Sequence, residues 1–205
     1  MNTIDYYNQN AESFFSDTID VDMSAFYDPF LNLLPNNAHI LDAGCGSGRD
    51  SLYFLQNGYK VTAIDASDEL SKLAAKLIKH PVINISFQQM EFENEFDAVW
   101  ASASILHIPR NEISDVLNRI SDALIPNGIL YASFKHGDQE YEKEGRYFNC
   151  YEENSINELI TNIMGLELIE MWTSSDLRPG RENEAWLNCL VKRIQAVDVT
   201  LNKKL

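Results

Sequence analysis

Short apolar runs alternate with helix-spaced apolar positions through the middle of this chain. Residues 38–43 (AHILDA) form a short apolar run ending at a glycine-rich turn, which predicts a buried strand. Residues 50–57 (DSLYFLQN) carry apolar side chains at helical spacing and stop at Gly58, a good helix terminator. Residues 60–64 (KVTAI) are rich in β-branched side chains and lead into Asp65. Residues 67–79 open with a Ser-Asp-Glu capping pattern and repeat Leu70, Leu73, Ala74, Leu77 and Ile78, a helix that Pro81 ends. Residues 82–88 alternate like a strand, and residues 96–101 (FDAVWA) predict another buried one. Pro109 suits the first turn of a helix whose apolar face is Ile113, Val116, Leu117, Ile120 and Leu124. Pro126-Asn127-Gly128 then reads as a turn and residues 129–134 (ILYASF) as a strand. Residues 137–145 read as a solvated loop, 152–163 as a helix, and 166–172 and 186–192 as strands; the tail from Gln195 reads as frayed.

Seven strands separated largely by helices predict an α/β chain with a doubly wound, mostly parallel, seven-stranded sheet. Such sheets bind ligands outside the carboxyl ends of their strands, where the strand order reverses. Ahead of this pattern stand residues 1–34, rich in aromatics: Tyr6, Tyr7, Phe14, Phe15, Phe26, Tyr27 and Phe30. They fit a helical lid over the ligand edge, and equally a set of helices covering an apolar face of the sheet.

The sharpest motif is Asp42-Ala43-Gly44-Cys45-Gly46-Ser47-Gly48-Arg49, where a strand meets a helix through three alternate glycines. Glycine admits positive φ and lets a ligand approach where a Cβ would stand, and the helix that follows offers free N–H groups. Asp65 ends the next strand, 21 residues after Gly44, where a carboxylate can accept from both hydroxyls of a ribose. A dinucleotide fingerprint, G-x-G-x-x-G, would need glycine where Arg49 stands, which argues against a nicotinamide cofactor. Asp42 and Arg49 instead suit the ammonium and carboxylate of an amino-acid moiety.

Composition narrows the partners. The 205 residues hold 31 acids against 16 Lys and Arg, a net charge of −15. A nucleic-acid binder needs a basic footprint, so nucleic acid and anionic membranes are disfavoured. Residues 1–48 contain seven acids and no Lys or Arg, which makes Arg49 the first cation of the chain. Three widely spaced cysteines form neither a disulfide framework nor a metal pair, and the N-terminus lacks a basic and apolar leader. The expectation is a cytoplasmic protein with no bound metal.

LDAGCGSG and VTAID resemble the first two motifs of the class I S-adenosylmethionine-dependent methyltransferases, across roughly residues 38–135. The resemblance implies a Rossmann-like fold, S-adenosylmethionine as cofactor and S-adenosylhomocysteine as product. It places Ala43, Gly44 and Gly46 along the methionine and ribose, Asp65 on the ribose hydroxyls, and Ala66 beside the adenine. It assigns Gln89 and Met90 to the adenine edge after the third strand, and Ala101 and Ser102 to the methionine backbone after the fourth. A leading "Y…A…F" element makes Tyr7, with Tyr6 as competitor, the cover of the methionine end. One domain is implied: residues 1–34 a lid segment, 38–135 the cofactor core, 136–194 a substrate-side elaboration.

Methyl transfer needs in-line positioning, exclusion of water and, for a protonated nucleophile, a proton acceptor. His107, after the fourth strand, is the candidate base, or else a helix-capping or packing residue. Lys135 and His136 follow the fifth strand. Arg146, Tyr151, Arg178 and Arg181 are the candidates for binding an acceptor, the arginines because an anion needs local capture in so acidic a protein. The segments SGRD, GRYFN and RPGR resemble a branch described as tellurite-resistance-type or small-molecule methyltransferases. The overall expectation is transfer to a small molecule; a non-catalytic cofactor-binding module and a methyltransferase acting on a protein are the rivals.

Overall fold

Seven strands form one sheet, in which every strand but the two at the edges pairs on both sides. The computed structural model describes residues 2–194; the expectation for the tail from Gln195 falls outside them. Three helices come first: α1 (Thr3–Gln9), α2 (Ala11–Thr18) and α3 (Ser24–Leu31). The alternating part follows: β1 (His39–Ala43), α4 (Arg49–Gln56), β2 (Lys60–Asp65), α5 (Asp68–Ile78), β3 (Val82–Asn84), β4 (Phe96–Ala101), α6 (Ile113–Ala123) and β5 (Leu124–Lys135). A hairpin of β6 (Glu140–Lys143) and β7 (Arg146–Asn149), then α7 (Glu153–Asn162), β8 (Leu166–Ser175) and β9 (Ala185–Arg193), complete the chain.

The strand order is β3-β2-β1-β4-β5-β9-β8, parallel except for β9, which runs antiparallel to β5 and to β8. The order reverses between β1 and β4, which opens a crevice at their carboxyl ends. Both faces of the sheet are covered, as near-continuous apolar strands require. Leu41, Val99 and Leu130 pack with Val116, Leu117 and Ile120 of α6 and Ile156 and Ile160 of α7. Their strand neighbours Ile40, Ala98, Trp100, Ile129 and Tyr131 face the other way, against Phe54 of α4 and Phe26, Tyr27 and Phe30 of α3. This alternation with period two sorts the residues of each strand between the layers.

The aromatic N-terminus divides between its two readings. α3 covers the sheet: Phe30 is fully buried, 5.0 Å from the Trp100 ring. α1 and α2 lie over the ligand edge instead. The Asn8 side-chain oxygen of α1 accepts from Ser67 Oγ at 2.7 Å, and the Phe14 ring of α2 lies against Gly46.

Three local expectations are corrected. Residues 137–145 are not simply a solvated loop, because residues 140–143 pair with residues 146–149 in an antiparallel hairpin. The third strand stops at Asn84, and Phe87–Gln89 form a 3-10 turn closed by reciprocal Ser86 and Gln89 capping bonds. The α6 helix begins at Ile113, with Pro109 in the preceding turn, where its carbonyl accepts from Glu112 and Ile113. The Pro126-Asn127-Gly128 turn persists as an irregularity within β5: Phe96 faces Leu124 while Ala98 faces Ile129. Among the described residues, no helix is long and apolar enough to cross a membrane, and no His, Cys, Asp or Glu cluster could hold a metal ion.

Candidate active site

The turn after β1 takes its shape from close packing. Gly44 has φ +79°, and a Cβ there would stand 2.5 Å from the Ser104 Cβ. Ser104 in turn donates its hydroxyl to the Ala43 carbonyl at 2.6 Å, which locks the β4 edge of the crevice onto the turn. Across the crevice, the Asp65 carboxylate accepts from the Gly46 N–H and the Ser67 N–H, each at 2.8 Å, one on each oxygen. Burial raises the Asp65 pKa, and those two N–H groups oppose the shift. Each oxygen keeps a lone pair for a further donor.

Behind the turn lies a buried polar network centred on Asp50. Its carboxylate accepts from Tyr27 Oη at 2.6 Å, from Trp100 Nε1 at 2.8 Å, and from Arg49 Nε and Nη2 at 2.7 and 3.0 Å. Arg49 Nη1 also donates to the Thr18 carbonyl at 3.2 Å, joining the end of α2 to the start of α4. Arg49 therefore lines the cavity with three of its five N–H groups already engaged, and its bidentate fork is closed on Asp50 rather than open to a ligand. Burial acts to raise the Asp50 pKa, but the Arg49 guanidinium and the Tyr27 and Trp100 donors hold it below the usual carboxylate range. Asp42, by contrast, is pushed up, by burial first and then by the Asp50 charge.

A cavity of about 540 Å³ opens at this crevice and runs beneath α1 to the β6–β7 hairpin and the loop between β8 and β9. At its middle, Tyr7 Oη lies 2.8 Å from His107 Nε2, while His107 Nδ1 lies 2.6 Å from the Tyr147 carbonyl oxygen. Burial, and then the charge of Arg146, push His107 down to about 3, so its ring is neutral at physiological pH. At the far end the more buried charges are compensated, while Arg181 and Lys143 line the cavity as exposed side chains. Arg178 grips Asp176 through Nε and Nη2 at 2.9 and 2.5 Å, and Lys135 joins Asp176 and Glu184 while lying 4.0 Å over the Trp186 ring. Arg146 bonds Glu144 at 2.8 Å and lies 4.2 Å over the Tyr6 ring. Its Nε and the Tyr147 hydroxyl are buried without a hydrogen-bond partner among the described residues.

The structure brings Tyr7, Gly44, Gly46, Arg49, Asp65, Ala66, Ser102, His107, Arg146, Arg178 and Arg181 together around this one cavity. Six expected residues do not line it. Asp42 turns into the β1–α4 interface, 2% exposed, and accepts from Ser51 Oγ at 2.6 Å, so it anchors the helix instead of meeting an ammonium group. Ala43 and Ala101 are fully buried at the ends of their strands. Met90 packs in the core at 1% exposure and Gln89 caps Ser86, because β3 ends early and residues 85–88 take the cavity wall. Tyr151 is buried beside Phe134, and its hydroxyl accepts from Asn149 Nδ2 at 3.1 Å. Phe87 and Ser104 also line the cavity and were not among the expected residues; Phe14 was expected only as one of the aromatics of the N-terminal segment. Phe14 and Phe87 are apolar positions indistinguishable in sequence from core; the signal for Ser104 is its polarity just after β4.

Residues 41–132 match the family model described as a methyltransferase domain. Over 108 residues the chain is 30% identical to a ubiquinone biosynthesis O-methyltransferase of Xanthomonas axonopodis pv. citri, covering 49% of this chain and 44% of that one. Over 132 residues it is 31% identical to a malonyl-[acyl-carrier protein] O-methyltransferase of Buchnera aphidicola, covering 60% of this chain and 52% of that one. The chain thus spans about half the length of these curated relatives. The fold matches the crystal structure of Burkholderia thailandensis 1,6-didemethyltoxoflavin-N1-methyltransferase with bound 1,6-didemethyltoxoflavin and S-adenosylhomocysteine: TM-score 0.76, 21% identity, 93% of this chain and 85% of that one. At that identity the likeness is one of fold: the matched stretch lies in the expected Rossmann-like seven-stranded sheet.

Proposed function

We propose that this protein is an S-adenosylmethionine-dependent methyltransferase acting on a small organic molecule. The observation that carries the reading is Asp65. It closes β2 at the crevice with each oxygen tied to one backbone N–H, beside the glycine turn, in a cavity that continues well past it. The residues suit the cofactor. Asp65 retains acceptor capacity for two ribose hydroxyls, Ala66 and Phe87 offer an apolar wall, and Arg49 keeps two N–H groups for a carboxylate even while it holds Asp50. When bound, the cofactor supplies an electrophilic methyl group on a sulfonium. The chain's own part is to hold Asp65 in place, to cover the crevice with α1 and α2, and to enclose an acceptor away from water.

The distal chamber favours an organic acceptor over a bare oxyanion such as tellurite. Arg146, Arg178 and Lys135 each face a carboxylate partner, and aromatic Tyr141, Tyr147, Phe148 and Trp186 supply much of the wall. An oxyanion would need a buried, uncompensated cation to replace its hydration, and the remaining cations of the lining, Arg181 and Lys143, are exposed to solvent. Calorimetric titration with S-adenosylmethionine and S-adenosylhomocysteine tests the proposal. Two charge-assisted hydrogen bonds lost in Asp65→Ala, at about 1.5 kcal/mol or more each, weaken binding by about 100-fold or more. No binding of either compound to the wild type would overturn the reading.

A further inference from the structure

Around His107 the direction of every hydrogen bond is determined by the chemistry at the ends of the chain of contacts. The Tyr147 carbonyl can only accept, so the 2.6 Å contact places the imidazole proton on Nδ1. The ring is neutral, so Nε2 carries a bare lone pair. Tyr7 must then donate its single proton across the 2.8 Å contact. The Arg146 guanidinium, which can only donate, bears on the same phenol. Burial drives Tyr7 up to about 12, with Arg146 opposing it and Asp65 adding to it, so the phenol keeps its proton. With that proton committed to His107, the Tyr7 oxygen offers the cavity lone pairs alone.

The same residues tether the lid. Tyr147 donates its N–H to Thr3 Oγ1 at 3.0 Å, so both backbone polar groups of Tyr147 hold α1 down, one directly and one through His107 and Tyr7. The His107 ring is further confined edge-on, with centroid separations of 5.4 Å to Tyr7 and 5.1 Å to Phe148.

We propose that His107 is a positioning residue rather than a base: it holds Tyr7 under the closed α1 helix as an acceptor-only oxygen that meets the polarised C–H groups of a sulfonium methyl. This rests on the function proposed above and adds a specific role to it. An acceptor-only oxygen discriminates the methylated cofactor from its demethylated product, because only the former presents a cationic methyl to it. A general base would instead need an unengaged Nε2 and a proton affinity near neutrality.

Two measurements test the inference without a known acceptor. The first is the ratio of dissociation constants for S-adenosylmethionine and S-adenosylhomocysteine, by calorimetry, in the wild type, Tyr7→Phe, His107→Leu, His107→Gln and the Tyr7→Phe/His107→Leu pair. Loss of such a C–H···O contact shifts the ratio about three-fold against S-adenosylmethionine in each single variant. The pair shifts it no further, and Gln, whose amide oxygen can accept from Tyr7, restores it. The second is the ¹⁵N NMR of His107 in the free protein, which shows a neutral, Nδ1-protonated ring from pH 5.5 to 8. An unchanged ratio in His107→Leu while Tyr7→Phe shifts it, additive effects in the pair, or a His107 that titrates in that range would overturn the inference. A wild type that binds neither compound fails the proposed function instead, and the NMR still decides the polarity of the pair.

Discussion

Replacing Asp50 with alanine would strand donors from three residues at once. The carboxylate, on a side chain only 8% exposed, accepts from Tyr27, Trp100 and twice from Arg49. Removing one member of a buried ion pair costs about 3–5 kcal/mol. Arg49 is 20% exposed and retains the Thr18 carbonyl, so the lower end of that range applies. Leaving the Tyr27 hydroxyl and the Trp100 N–H without an acceptor adds about 1–3 kcal/mol each, reduced where a water enters the vacated space. The sum comes to about 5–9 kcal/mol before any such water, comparable with the whole stability of a marginal domain at about 5–15 kcal/mol. Urea denaturation followed by tryptophan fluorescence measures the loss. Removing Arg49 as well, as Arg49→Met with Asp50→Leu, recovers part of it because no lone charge remains buried. A loss below about 2 kcal/mol for Asp50→Ala would refute the assignment of this network as the anchor between α2, α3, α4 and β4.

Asp42 gives a pH test with the opposite sign from the usual carboxylate. Its folded pKa is pushed up to about 8, by burial and then by Asp50, so the native state holds a proton that the unfolded state releases above about 3.9. Stability attributable to this group therefore falls as pH rises from about 4 to 8, and Asp42→Asn flattens that slope in thermal melts at pH 5 and 8; an unchanged slope would contradict it. Arg110 ties the hairpin to the body through the Asp138 and Cys150 carbonyls, each at 2.8 Å, and Asn149 Oδ1 at 3.0 Å. With that side chain 38% exposed, Arg110→Ala costs about 1–2 kcal/mol and speeds limited proteolysis within residues 138–150. It leaves the affinity for S-adenosylhomocysteine unchanged, since Arg110 lies outside the cavity wall.

Local patterns in the sequence determine the sheet and the cofactor end of the cavity. Apolar runs between helix-spaced segments fix which strands are buried on both faces, and three glycines at alternate positions can mean only a tight turn between β1 and α4. Asp65 is legible because its place at a strand end follows from the same pattern. What the sequence leaves open is how polar groups far apart in the chain satisfy one another. Asp50 meets Tyr27 and Trp100 across 23 and 50 residues, and Tyr7 meets His107 across 100. Gln89 and Met90 move off the wall because a 3-10 turn replaces the last residues of a strand, and Phe87 takes the position. Apolar burial is read residue by residue from periodicity. A hydrogen-bond partner is chosen by which donors and acceptors the packed layers bring together, and that choice exists only once the layers have formed.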